Sequence, residues 1–392
     1  MPATEGSQAG LPRLSKLLPA VLHEILRHKV SIDVAFKRVC GGWCASSVDE
    51  REALYEASRR FITDYVKLLC ISGGRRRPRD LAKLWLTGFE EPSEPYCRLS
   101  VPKWLYDRLY ELLGEDASRL FEAMRVRVWW LRVNTFKASV ESVIRALEDE
   151  GVVVDVDRSY YYMLKIVETP KPVRLLKVVR EFKAIPHDLA SAVVVEALKP
   201  EPGDRVLDAC AAPGIKTSLI AMLTEGRVKI KAVDISGRRM TIMKKLMRKL
   251  GVPEESIDYT IADSRRLKLE ERYDKALVDA PCSNTGAIAK DPALRVTLTP
   301  GKIEYYSKLQ KEILANTLKY ADKVTYATCS IMPEEGEEVV ESLSDKVKLE
   351  KPQVRICGEA YKNYKTAQHT CRLYPHIHET EGFYISNISQ PP

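Results

Sequence analysis

Apolar residues recur at helical spacing through the first hundred positions. Val21, Leu22, Ile25 and Leu26 mark a helix over 19–28 with Pro19 in its first turn, and a short helical stretch follows from Ser31. Ser47 with Glu50 three residues later has the spacing of a capping box, opening a long amphipathic helix through Leu54, Ala57, Phe61, Tyr65 and Leu68. The pattern implies a helical domain over residues 1–95. Gly73-Gly74-Arg75-Arg76-Arg77-Pro78-Arg79 reads as a flexible basic turn, either a solvated loop or a patch that contacts phosphates. Phe89 to Tyr96, with two prolines among acids, reads as a linker.

The pattern then changes. A helix over 102–124 precedes a bulky strand over 126–134, in which adjacent Trp129 and Trp130 must point to opposite faces. A helix over 140–147 and strands over 152–156 and 160–167 complete a small α+β module within 100–185. From Pro186 onward, strands and helices alternate. Strands fall at 205–208, 228–233, 259–261, 275–278 and 323–327, and helices at 190–198, 218–223, 238–250 and 302–320. Such alternation predicts an α/β domain over 186–392 with a doubly wound parallel sheet, which binds ligands beyond the carboxyl ends of its strands.

The chain of 392 residues has room for two or three domains, and 45% hydrophobic content suffices for packed cores. No apolar run reaches membrane-spanning length, and Met1–Gly10 is small and polar, which fits a cytoplasmic protein. A net charge of +8 suits a polyanionic partner without requiring one. Nine cysteines, an odd number scattered over a long chain, argue for free thiols in a reducing compartment. Cys40 and Cys44 could form half a zinc site, but no second pair at ligand spacing completes it. They are expected to be core thiols at a helix end, and no metal is expected.

Candidate chemistry collects at the strand ends. The strand at 205–208 runs into Asp208-Ala-Cys210-Ala211-Ala212-Pro213-Gly214-Ile215-Lys216-Thr217, small residues before a helix N-terminus, which let backbone approach a ligand. Neither the dinucleotide glycine spacing nor a phosphate-loop pattern is present. Asp234 ends the next strand, where a ribose diol would bind, and Asp263 follows the third, where an adenine amino group would. The apolar run Ala276-Leu277-Val278 stops at Asp279-Ala280-Pro281-Cys282, and Val324 to Thr328 stops at Cys329-Ser330. Two thiols at two such ends can face one substrate.

These segments, together with Gly286, Asp291-Pro292, Leu131-Arg-Val-Asn-Thr135, His187-Asp-Leu-Ala-Ser191, Arg372-Leu-Tyr-Pro-His376 and Glu381-Gly-Phe-Tyr384, resemble the Sun/Fmu (RsmB-like) family of RNA cytosine-5 methyltransferases from about Val101 to the C-terminus. More weakly, the helical region resembles the NusB-like domain that precedes the catalytic domain in RsmB-type members. The resemblance implies a Rossmann-like methyltransferase sheet, an RRM-like RNA-binding module before it, and S-adenosylmethionine as cofactor, bound by Cys210 to Lys216, Asp234, Asp263 and Asp279. It implies RNA as partner, with rRNA favoured and tRNA left open, and a monomer is the plain expectation. Cys329 would attack carbon 6 of cytosine, Asp279 would hydrogen-bond the ring at nitrogen 3, and Cys282 would assist loss of the carbon-5 proton. DNA cytosine methylation would place the nucleophile in the Pro-Cys segment and call for no second thiol. A non-catalytic RNA-binding or ribosome-assembly factor is the other alternative. Three positions depart from the family pattern: Ile215 and Asn284 where glycine is common, and His187 where glutamine is.

Overall fold

The structure is a computed structural model of the 392-residue chain that describes residues 11–42 and 44–390. The polar stretch Met1–Gly10, and Trp43 between the first two cysteines, lie outside the described residues. By internal contacts the chain divides into two compact units, residues 1–127 with 287–300, and residues 128–286 with 301–392.

The first unit is helical. Helix Leu11–His28 buries Leu17, Leu18, Val21, Leu22 and Ile25 against Phe61, Ile62 and Leu81. It starts eight residues before Pro19, so that proline is interior rather than in the first turn. The apolar stripe continues across it, and its burial outweighs the missing backbone donor. Ser47 Oγ accepts the Glu50 N–H at 3.1 Å, and Glu50 returns to the Ser46 N–H at 2.7 Å. The helix so opened ends at Thr63, and a second runs from Tyr65 to Ile71. The stretch 102–124 is likewise two helices, Lys103–Leu113 and Asp116–Ala123, parted at Gly114 with φ +58°. Residues 287–300 complete this unit. Arg295 is buried and donates to the carbonyls of Leu99, Ser100 and Met124, Asp291 Oδ1 accepts the Ile32 N–H at 3.0 Å, and Ala293 joins the core.

The second unit holds two sheets. The smaller comprises β1 (Trp129–Val133), β2 (Val153–Val156), β3 (Met163–Glu168) and β4 (Ala184–Pro186), in the order β2-β3-β1-β4 with antiparallel pairing throughout. Trp130 is buried and donates its indole N–H to the Glu379 carbonyl at 2.8 Å, while Trp129 is half-buried. The larger sheet has a parallel centre of β5 (Arg205–Asp208), β6 (Lys229–Asp234), β7 (Ile257–Ile261), β8 (Tyr273–Asp279) and β9 (Ala321–Thr328) in the order β9-β8-β5-β6-β7. Beyond β9 the sheet continues with β12 (Phe383–Ser389), which is antiparallel and also pairs β10 (Lys348–Glu350) and β11 (Thr370–Leu373). The alternation that predicts a wholly parallel sheet ends at β9, and the antiparallel strands are an addition to it. Alternate residues of the central strands enter different apolar clusters, Leu277 and Ala327 one, Ala276, Val278 and Tyr326 the other. The sheet is therefore covered on both faces, the condition that makes its strands apolar runs. Strand order reverses between β5 and β8, the place where open α/β sheets form a ligand crevice.

Six of the nine cysteines are paired, contrary to the expectation of free thiols: Cys40 with Cys44, Cys70 with Cys97 and Cys357 with Cys371. Number and parity carry no information about proximity, and these Cα atoms lie 5.0, 6.0 and 5.5 Å apart, within disulfide reach. Cys210, Cys282 and Cys329 are the free ones, and all three follow carboxyl ends of strands in the larger sheet. No cluster of three or more metal-ligating side chains occurs among the described residues, and no helix there is long and apolar enough to cross a membrane.

Candidate active site

Because β8 and β9 are parallel neighbours in register from Tyr273↔Ala321 to Asp279↔Ala327, the segments that leave them emerge side by side. Cys282 Sγ and Cys329 Sγ, 47 positions apart in the chain, lie 3.1 Å from one another. Cys282 is buried and Cys329 partly accessible. Asn284, in the left-handed region at φ +61°, places its Oδ1 2.8 Å from Cys329 Sγ and 3.5 Å from Cys282 Sγ. The contact with Cys329, followed by burial, pushes the Cys282 thiol up, while the Asn284 backbone amide opposes the rise.

One carboxylate ties the two thiol-bearing segments together. Glu335 is fully buried. Its Oε1 accepts the Ser283 N–H at 2.8 Å and Gln310 Nε2 at 3.2 Å, and its Oε2 accepts Ser330 Oγ at 2.6 Å and the Ser283 hydroxyl. Burial raises its carboxyl above the usual range. Ser283 and Ser330 each follow a thiol, so this side chain fixes the separation of the sulfurs. A second tie comes from Arg372, whose guanidinium forms a wholly buried ion pair with Glu337 and donates to the Ser330 carbonyl at 3.0 Å. Gly286 passes so close to Gly382 that an added Cβ would lie 1.9 Å from its carbonyl oxygen, and backbone bonds join Gly286 to Cys329 O (3.0 Å) and Gly382 N (2.9 Å). Glycine is required there by space alone.

On the other side of the crevice the loop after β5 is pinned by backbone bonds, Ala209 N–H to Leu277 O and Ala211 N–H to Val233 O, both 2.9 Å. Pro213 follows a cis peptide bond, and Gly214 takes φ +101° where a Cβ would come within 2.7 Å of Met243 and Met247. Ile215 begins the following helix, and its carbonyl receives buried Arg132 of β1 at 3.1 Å. Lys216 Nζ lies 2.8 Å from Asp279 Oδ2, linking this loop to the end of β8. Asp208 is buried. Thr217 donates to its Oδ2 at 2.6 Å while Oδ1 has no partner, and burial pushes its pKa up to about 7. Burial, aided by neighbouring carboxylates, raises the Cys210 thiol well above its ordinary value. Asp234 accepts Ser236 N–H (2.8 Å) and Ala212 N–H (3.2 Å). Asp263 is clasped by Arg265 through its backbone N–H, Nε and a terminal nitrogen, which holds the carboxyl below its usual range. Exposed Ile235 and Ile261 stand at the ends of β6 and β7.

The structure thus gathers Cys282, Cys329 and Asn284 into one cluster, and Asp208, Lys216 and Asp279 into another. Asp234 and Asp263 lie along the neighbouring strand ends. Sequence reasoning missed Glu335, Ile235 and Ile261, and it gave Arg132, inside the segment Leu131-Arg-Val-Asn-Thr135, no role of its own. Glu335 in Met-Pro-Glu-Glu carries no periodic signal, whereas the isoleucines had one, since each is apolar immediately before or after a strand tip.

This sheet, with a crevice at its reversal point and an acid at each neighbouring strand end, is the architecture of an α/β methyltransferase. A family model described as 16S rRNA methyltransferase RsmB/F matches residues 195–389, and one for the ferredoxin-like domain of RsmF/B-like methyltransferases matches 101–173. The tRNA (cytosine(49)-C(5))-methyltransferase of Pyrococcus abyssi is 33% identical over 53% of this chain and 70% of its own length. The 28S rRNA (cytosine-C(5))-methyltransferase of Mus musculus is 29% identical over 84% of this chain and 43% of its own length. The solved structure of PH0851, at 24% identity, shares the fold with a TM-score of 0.80 over 97% of this chain and 99% of that one. The chain belongs to the RsmB/F methyltransferase family. It spans 43–62% of the length of the first curated relatives it matches.

Proposed function

We propose that this protein methylates carbon 5 of a cytosine in RNA, with S-adenosylmethionine as methyl donor and Cys329 as nucleophile. The observation that carries this reading is the 3.1 Å separation of two free thiols at adjacent parallel strand ends. The residues suit the cofactor. Asp208 Oδ1 is a buried acceptor without a partner, and exposed Ile235 and Ile261 offer apolar surface to a base. Residues Cys210 to Lys216 would hold the methionine part, Asp234 the ribose hydroxyls, and Asp263 the adenine amino group in competition with Arg265. Bound there, S-adenosylmethionine supplies an electrophilic methyl group on a sulfonium.

The chain's own residues account for the remainder. Carbon 5 of cytosine is a weak nucleophile until sulfur adds at carbon 6. Cys329 gives its proton to solvent, and its sulfur bonds carbon 6. Carbon 5, made electron-rich by that addition, would accept the methyl group, and the pair of the bond so broken would stay with the donor sulfur as a thioether. Asp279, one oxygen of which Lys216 occupies, meets the ring at nitrogen 3. Cys282, directly or through water, then accepts the carbon-5 proton. The electrons of that bond restore the ring double bond and expel the Cys329 sulfur. The division into a NusB-like helical domain (1–95), an RNA-binding module (100–185) and a methyltransferase domain (186–392) belongs to the same proposal, with the exposed arginines Arg75, Arg76, Arg77 and Arg79 as phosphate contacts.

Ribosomal RNA is the favoured substrate, following the RsmB/F model and the mouse relative. Transfer RNA is the second reading, favoured by the Pyrococcus abyssi relative, which the chain covers more completely. Labelled cofactor incubated with separate unmodified rRNA, tRNA and DNA, followed by bisulfite mapping, tests both. 5-Methylcytosine in one RNA class supports the reading; label in DNA alone, or none despite cofactor binding, overturns it.

A further inference from the structure

The side chain of Asn284 sits against both thiols, at a position whose positive φ favours glycine or asparagine. In the structure its Oδ1 accepts from Cys329 at 2.8 Å and from Cys282 at 3.5 Å. The residue is exposed, and Nδ2 makes no hydrogen bond among the described residues, so nothing anchors the amide in one orientation. A carboxamide carries an acceptor and a donor on the same carbon, and half a turn about its last torsion exchanges them.

We infer that Asn284 is a further catalytic residue, which accepts the hydrogen bond of the resting Cys329 thiol and, with its amide reversed, donates to the sulfur once it is a thiolate. The inference rests on the proposed cysteine chemistry and adds to it a partner that serves both charge states of the nucleophile. Asparagine combines that ability with tolerance of a positive φ. Glycine keeps the backbone and loses the contact. Aspartate keeps the shape and the acceptor but opposes a thiolate.

Two measurements on wild type, Asn284→Gly and Asn284→Asp test it. In the first, RNA substituted with 5-fluorocytosine traps the covalent adduct, because fluorine cannot leave carbon 5 as a proton does. The single-turnover rate of adduct formation should fall about tenfold in Asn284→Gly, the scale of one hydrogen bond to a charged group, and further in Asn284→Asp, with KM for RNA unchanged. In the second, without RNA, iodoacetamide should alkylate Cys329, followed by mass spectrometry, fastest in wild type and slowest in Asn284→Asp. Asn284→Gly at the wild-type rate in both assays would reduce Asn284 to a turn residue, and Asn284→Asp equal to Asn284→Gly would remove the donor role. If wild-type protein forms no adduct while the alkylation order holds, the proposed reaction fails and the contact with the sulfur stands.

Discussion

Replacing Glu335 separates geometry from chemistry at this site, because Glu335 touches neither sulfur yet holds the residue after each. Its Oε1 serves two obligate donors, the Ser283 N–H and the Gln310 amide, and its Oε2 serves two hydroxyls. In Glu335→Gln the retained oxygen can keep the first pair, and the new NH2 can donate to hydroxyls that rotate to accept. Burial opposes the charge on this carboxylate, and about 1–2 kcal/mol is expected for the change. Glu335→Ala instead strands the two obligate donors in the interior at about 1–3 kcal/mol each and opens a cavity, roughly 3–6 kcal/mol in all. The sulfurs then lose their fixed separation, and a misplacement on the order of 1 Å costs about 100-fold in rate. Urea unfolding with methyl transfer at saturating RNA reads both effects. Glu335→Gln should keep kcat within about tenfold of wild type, and Glu335→Ala should lose about 100-fold or more where it remains folded. Wild-type kcat and stability in Glu335→Ala would refute the role given to this carboxylate.

Asp208 titrates at about 7 in the fold against an ordinary 3.8. The folded chain therefore holds the proton more tightly, and this contribution to stability, complete below pH 3.8, is lost as pH rises through about 7. Asp208→Asn should flatten the fall in Tm between pH 5 and 8; an unchanged slope would contradict the burial argument. Arg372→Met leaves Glu337 charged and buried, a cost of about 3–5 kcal/mol, and Arg372→Met with Glu337→Leu should recover part of it. Urea midpoints of the single and double variants decide that, and a single variant as stable as wild type would show that the pair contributes nothing.

Where periodicity and burial coincide, the sequence was legible. β5, β6, β8 and β9 are apolar runs because both faces of the sheet are covered, and each stops at an acid or thiol that breaks the run. β10 to β12 went unread because two are three or four residues long and because β12 joins the sheet by pairing β9 and β10, both distant in the chain. Nor does any local signal show that 287–300 belong with helices of the first 127 residues, since Arg295 meets Leu99 across 196 positions. At the site, the thiols and acids announce themselves by residue type at strand ends. Glu335 ties Ser330, five residues away, to Ser283, 52 away, and Arg372 reaches the Ser330 carbonyl across 42 positions, so their function lies in closing distances that the sequence does not show. The cysteine pairs failed for the same reason, since spacing in sequence says nothing of spacing in the fold.

The most direct test of the central claim compares wild type with Cys329→Ser and Cys282→Ala by denaturing gel, using unmodified RNA and labelled cofactor. Cys282→Ala should accumulate a protein–RNA adduct, while Cys329→Ser should form none and transfer no methyl. Methylation by Cys329→Ser, or an adduct that forms through Cys282 instead, would contradict the assignment of the two sulfurs.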